Sequence, residues 1–174
     1  ADLWRDLFLF STYAGGLRFS DVIELQYKNY NPLEQRIKKV IRKTGRLHQF
    51  KIGQVAIAIL NKYMKAEAKN DDYIFPVITD KIAYNNSEEN RYTIAAKENH
   101  YANFQLNRMG RNLNLPFSLS FHLSRHSFAT NALNNGMRIE HVSKLMDHQD
   151  ISTTQIYAKI INEELDKAVE HFIY

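Results

Sequence analysis

Leu3, Trp4, Leu7, Phe8 and Ser11 recur with the spacing of one helical face, and Gly15-Gly16 breaks the pattern, which predicts a first helix ending near Tyr13. A short helix over 20–25 follows, and Asn29-Tyr30-Asn31-Pro32 reads as a loop. Residues 36–42 and 47–52 flank Lys43-Thr44-Gly45-Arg46, where glycine suits a positive-φ turn position, so this stretch predicts a β-hairpin. Val55, Ile59, Leu60, Tyr63 and Met64 return to helical period, predicting a helix from Gln54 to about Lys69. A short extended piece over 73–77 and a polar connection over 79–90 lead to a helix over about 91–113, closed by Pro116. The last third is helical again. A helix over 122–134 ends at Gly136, a second carries Ile139, Val142, Leu145 and Met146, and the Ser152-Thr-Thr-Gln155 capping box opens a third at Thr153. Asn162 predicts a cap for a final amphipathic helix with Leu165, Ala168, Val169 and Phe172 on its apolar side. The hairpin is thus an island among helices: a mainly α domain with a small antiparallel sheet, class α+β, and one domain over 1–174 without internal repeat or linker.

Composition narrows the chemistry. A chain of 174 residues, 44% hydrophobic and 24% charged, suits one soluble globular core. It has no cysteine, which removes disulfide scaffolds, thiolate metal sites and cysteine nucleophiles together. No apolar run approaches the roughly 18 residues of a membrane span, and Asp2, Arg5 and Asp6 near the start do not form a signal peptide. The expectation is a cytoplasmic protein, and a chain beginning at Ala1 inside a helix reads as a fragment of a longer one. The net charge of +4 is modest but unevenly spread: Arg36, Lys38, Lys39, Arg42, Lys43, Arg46 and Lys51 share a stretch without an acid. That stretch is either a solvated hairpin face or a patch that neutralises a polyanion's phosphates.

Three local groups could carry chemistry, and each alone has a plainer reading. Arg18, after the glycine turn, could simply pair with Asp21. His122, Arg125 and His126 share one helical face by their spacing, which could be an ordinary surface; His122 and His126 lack the Glu of a His-Glu-x-x-His zinc site. Tyr157 follows His148 by nine residues and is one of 10 tyrosines. Taken together and in this order, Gly-Leu-Arg-Phe-Ser-Asp, a basic hairpin, His-x-x-Arg-His, then His and Tyr, the sequence from Gly16 to about Ala158 resembles the tyrosine recombinase (phage integrase) family.

The resemblance implies a tyrosine recombinase-like catalytic domain, without the N-terminal core-binding domain, that cleaves and rejoins DNA through a 3′-phosphotyrosyl intermediate. Arg18 and Arg125 match the catalytic arginines, Lys43 the hairpin lysine, His122 and His148 the two histidines, and Tyr157 the nucleophile; Asp21 matches a supporting acid. Arg36, Lys38, Lys39, Arg42 and Arg46 are the candidate DNA contacts. No metal, ATP or other cofactor is implied. The partner is double-stranded DNA, in a homotetramer docked through the C-terminal helix over 163–172 with Phe172 as anchor, in a bacterial, nucleoid-associated setting. The sequence departs from the family pattern at Asp147, where glycine usually precedes the second histidine, and at Ser124, where leucine is usual; Asp tolerates left-handed φ better than most residues. The alternatives are a type IB topoisomerase-like enzyme, which uses similar residues, a non-cleaving DNA-binding module of the same fold, and an unrelated helical protein with a surface histidine cluster.

Overall fold

Helix α1 (Asp2–Tyr13) buries Trp4, Leu7 and Phe10 along one face, the periodicity that the sequence shows. The computed structural model describes residues 2–173, with the side chains of 163–166, 168 and 171–173 outside the description. Further helices are α2 (Phe19–Ile23), α3 (Gln54–Tyr63), α4 (Lys81–Asn85), α5 (Glu88–Asn112), α6 (His122–Asn134), α7 (Ile139–Leu145) and α8 (Ser152–Ile173). α1 is the central one, packing on α3, α5 and α6. Phe10 meets Phe75 edge-on at 5.1 Å, a favourable aromatic geometry at the centre of the core. Where α1 meets α6 the contact is close and polar. Ser124 Oγ lies 2.8 Å from Ser11 Oγ, and Ser11 in turn donates to the carbonyl of Leu17 at 2.7 Å. Both serines are fully buried, so Ser124 in place of the family's leucine is satisfied by Ser11 on the facing helix.

The sheet has three antiparallel strands, β1 (Tyr30–Asn31), β2 (Arg36–Val40) and β3 (Leu47–Lys51), in that order. Ile37 faces Phe50 and Lys39 faces His48, and these four side chains form the buried face. Alternation sends Lys38, Val40, Leu47, Gln49 and Lys51 to solvent. Gly45 takes φ +67° in the turn, as its place there requires.

Several elements differ from the sequence-based expectation. The segment read as a loop at 29–32 contributes β1, too short to display a period of two. α3 stops at Tyr63 rather than Lys69, because Met64 turns extended and the Lys65 amide donates to the Tyr27 hydroxyl at 2.7 Å. The polar connection contains α4, capped by Asp80 accepting from the Ala83 amide at 2.9 Å and anchored by the fully buried Tyr84. Ser87 then caps α5, which begins at Glu88, by accepting from Asn90 N–H at 3.0 Å. The extended piece at 73–77 pairs only through a bridge between Gln26 and Tyr73. Finally, α8 runs through Asn162 without a break. An interior asparagine costs a helix only about 0.7 kcal/mol, less than a new start would.

A second, smaller apolar cluster joins Phe128 and Ala129 of α6, Val142 of α7, Met146, and Tyr157 of α8. It sets the last helices against one another and fixes the Tyr157 ring. Among the described residues no helix is long and apolar enough to cross a membrane.

Candidate active site

The Gly15-Gly16 turn, both residues at positive φ, sends the chain from α1 into α2 with Arg18 at the N-cap. Arg125, in the first turns of α6, is buried behind it. One Arg125 nitrogen donates to the Gly16 carbonyl, and the other donates to Met146 O at 2.8 Å. Burial and the neighbouring Arg18 charge push the Arg125 guanidinium down to about 10, which leaves it a cation at neutral pH. Gly16 therefore has two duties. Its φ is +65°, and a Cβ there would sit 3.0 Å from Phe128 Cδ1. Gly16→Ala is expected to cost about 2 kcal/mol from left-handed backbone and crowding, read as a lower urea midpoint, and to displace the carbonyl that Arg125 holds.

Asp147 takes φ +53°, the left-handed conformation that a glycine there would also adopt. This turn brings His148 back toward Arg125. His148 Nε2 lies 3.4 Å from Arg125 NH2, and Nδ1 lies 2.8 Å from Thr154 Oγ1. A guanidinium can only donate, so Nε2 is the acceptor and Nδ1 carries the proton to Thr154. Burial, then the charges of Arg125 and Arg18, push the imidazole down to about 4. Unfolded, the same ring titrates near ~6.5. Between the two values the unfolded chain binds the extra proton, so this group's effect is that stability rises with pH across that window and is lost on acidification through it. Histidine-selective NMR of the DNA-free protein should show His148 titrating near pH 4, with the urea midpoint falling between pH 6.5 and 4.5; titration near 6.5 would contradict this geometry.

His122 opens α6 at the solvent-facing rim. Its ring meets His126 edge-on at 4.6 Å, and His126 meets Tyr157 at 5.3 Å. Burial first, then His126 and Arg125, lower the His122 pKa, so it is a neutral base at physiological pH. Tyr157 is 7% exposed, and burial raises its phenol while Arg125 pulls the other way. Among the described residues no group of three or more His, Asp or Glu side chains could hold a metal ion.

The hairpin supplies the remaining wall. Lys43 is exposed in its turn. Asp21, fully buried, accepts from the Arg42 amide at 3.0 Å and so fastens the hairpin to α2; its other oxygen has no partner, and burial raises its pKa. Arg18, Lys43, His122, Arg125, His148 and Tyr157 all line one open cleft of roughly 800 Å³, together with Arg42, Thr153 and Tyr92.

The basic stretch does not form one surface. Lys38 and Arg46 are exposed, and Arg36 is half-buried, 3.6 Å from Glu34. Lys39 points inward instead: it is 8% exposed and lies 3.8 Å from Glu24, so strand alternation takes it away from the candidate DNA contacts. Arg42 is likewise held by Glu24 at 3.3 Å, although its side chain reaches the cleft. Glu24, the buried C-cap residue of α2 three positions after Asp21, also accepts from Tyr84 at 2.6 Å and Arg91 at 3.1 Å. The sequence reading missed this anchor; its place three residues after Asp21 was the available signal. It missed Thr154, which orients His148, for want of any local signal.

This arrangement, helices around a small sheet with two arginines, two histidines, a hairpin lysine and a tyrosine in one cleft, is that of a tyrosine recombinase domain. The model of the phage integrase family matches residues 1–164, and the chain belongs to that family. It is 33% identical to tyrosine recombinase XerD of Pseudomonas aeruginosa over 160 residues, 88% of this chain and 48% of the relative. It is 28% identical to tyrosine recombinase XerA of Pyrococcus horikoshii, over 98% of this chain and 55% of that one. The chain thus spans about half the length of the curated relatives it matches. Among solved structures it shares its fold with a XerH site-specific recombinase in a post-cleavage complex with palindromic difH substrate, at TM-score 0.67 and 18% identity, covering 98% of this chain and 46% of that one. The Tn1549 transposon integrase in complex with transposon right-end DNA aligns at TM-score 0.65 and 15% identity, covering 95% and 59%.

Proposed function

We propose that this chain is the catalytic domain of a site-specific DNA recombinase that cleaves and rejoins DNA through Tyr157. The observation that carries the reading is the convergence of Arg18, Lys43, His122, Arg125, His148 and Tyr157 on one cleft. A phosphodiester repels nucleophiles and its alkoxide leaves poorly, so the site has to supply positive charge and a proton. Arg18 and Arg125 can hold the non-bridging oxygens in charge-assisted bonds that strengthen as charge grows in the transition state. A phenol near its reference pKa of about 10 is scarcely ionised at pH 7, and burial makes Tyr157 less so. It needs a base, and neutral His122 on the adjacent helix face fits that role. As the Tyr157 oxygen bonds to phosphorus, the bond to the 5′ oxygen breaks; His122 takes the phenol proton and Lys43 gives one to the departing oxygen. His148, whose Nε2 faces Arg125, can donate to the phosphate only as the imidazolium, a form that the incoming negative charge favours and that takes its proton from solvent. The phosphotyrosyl ester conserves the energy of the original linkage, and attack by a different 5′ hydroxyl completes strand exchange.

Double-stranded DNA is the proposed substrate, supported by the exposed Lys38, Lys43 and Arg46 of the basic stretch, of which Lys43 lines the cleft, and by the DNA complexes of the structural neighbours. A tetramer joined through the C-terminal helix extends the proposal: Val169 is exposed, while Leu165 and Phe172 lie outside the described side chains. The test is covalent capture. The full-length protein, incubated with a random pool of nicked duplexes in EDTA, should select a cleavable sequence as a denaturation-resistant adduct on the 3′ phosphate. Transfer of that strand to a second duplex would mark recombination. Sealing only to its own partner would place the chain with DNA-relaxing enzymes, and bound DNA without adduct would leave a binding module.

A further inference from the structure

One contact at the cleft is used by none of the roles above. The Thr44 hydroxyl, beside Lys43 in the hairpin turn, donates to Asp147 Oδ2 at 2.7 Å across 103 residues of chain. The same oxygen lies 3.4 Å from Arg18 NH1, and the Asp147 carbonyl accepts from Arg18 NH2 at 3.2 Å. The carboxylate is therefore shared between the hairpin turn and the first arginine. It is 8% exposed on a residue at φ +53°, where an L side chain is strained and glycine is not. A carboxylate kept buried at a strained position, next to an arginine meant for phosphate, works against anion binding unless it serves something else.

What it reaches is the turn. The body of the hairpin is held elsewhere: His48 Nε2 meets the Leu145 carbonyl at 2.8 Å, and Asp21 accepts from the Arg42 amide. Beyond Arg42, the hydrogen bond from Thr44 to Asp147 ties the turn to the end of α7. Lys43 itself is exposed on a flexible stem, and fixing the backbone that carries it reduces the search for the leaving oxygen.

We propose that Asp147 is a positioning residue whose carboxylate latches the Lys43 turn, through Thr44, to the Arg18 side of the cleft, so that the hairpin lysine is preset before DNA arrives. The proposal rests on the reading of Lys43 as the acid for the leaving oxygen, and a substrate that needs no acid separates the two. Single-turnover cleavage at saturating DNA is measured on the captured sequence, once with the ordinary scissile phosphate and once with a 5′-bridging phosphorothiolate, whose sulfur leaves without a proton. Lys43→Ala should lose roughly a hundredfold or more on ordinary DNA, the scale of a general acid, and recover on the thiolate. Thr44→Val and Asp147→Gly should each lose about tenfold on ordinary DNA, a part of that acid's contribution, and come within about twofold of wild type on the thiolate. Thr44→Val leaves the Asp147 backbone untouched, so it reports even if Asp147→Gly is poorly folded. Wild-type rates on ordinary DNA, or equal losses on both substrates, would overturn the latch. A Lys43→Ala protein that the thiolate does not rescue would overturn the reading of Lys43 and the latch with it.

Discussion

Arg125→Lys is expected to slow single-turnover cleavage by at least about a hundredfold, the scale of losing one preorganised donor to a transition-state oxygen. The conservative charge does not rescue it, because Arg125 is as much a strut as a ligand. Its two terminal nitrogens reach carbonyls from different parts of the chain, Gly16 before α2 and Met146 after α7. It also lies beside His148 Nε2. A lysine ammonium has one nitrogen on a flexible stem and cannot span both carbonyls while facing a phosphate. Leaving one buried carbonyl without a donor costs about 1–3 kcal/mol. The substitution should therefore lower the urea midpoint and the cleavage rate together, and weaken DNA binding far less, since exposed lysines on the hairpin contribute there. A variant with wild-type cleavage would remove Arg125 from the chemistry.

The same strut explains how much of the site was legible beforehand. Gly16, Arg18, Arg125, His148 and Tyr157 stand far apart in sequence, and no periodicity brings them together; the order of motifs did so only through resemblance. Periodicity did read the helices that carry them. α1 was visible because it buries a regular apolar stripe, α6 because Gly136 marks its end, α7 because Ile139, Val142 and Met146 recur at helical spacing, and the hairpin because its flanking segments meet at a glycine turn. α4 was not, since five residues with one buried tyrosine offer no period, and the end of α3 was set by a tertiary bond from Lys65 to Tyr27. The basic stretch misled for a related reason. A row of like charges suggests one surface, yet on a strand every second residue points inward, and Lys39 is neutralised by a buried Glu24 from another element. Asp147 was legible as a departure and as a residue able to take left-handed φ; its ties to Arg18 and Thr44 were not, because both partners lie more than a hundred residues away.

The second large effect concerns Tyr157 itself. Its ring is packed among Phe128, Val142 and Met146, so phenylalanine at this position keeps the apolar contacts and removes only the hydroxyl. Tyr157→Phe should thus fold and bind DNA as wild type does, with an unfolding free energy from urea titration within about 1 kcal/mol of wild type, the scale of a single hydroxyl's contribution. The chemistry should vanish. Ser20, Tyr92 and Thr153 also bring hydroxyls to the cleft, but Tyr157 lines it with its ring set against His126 at 5.3 Å and takes the nucleophile's role in the proposed chemistry. The decisive measurement is mass-spectrometric mapping of the covalent adduct on the nicked duplex captured by wild type, run beside Tyr157→Phe. The account predicts a nucleotide linked to Tyr157 in wild type and no adduct from the variant on DNA that it still binds. An adduct at another residue, or one that persists in Tyr157→Phe, would contradict it.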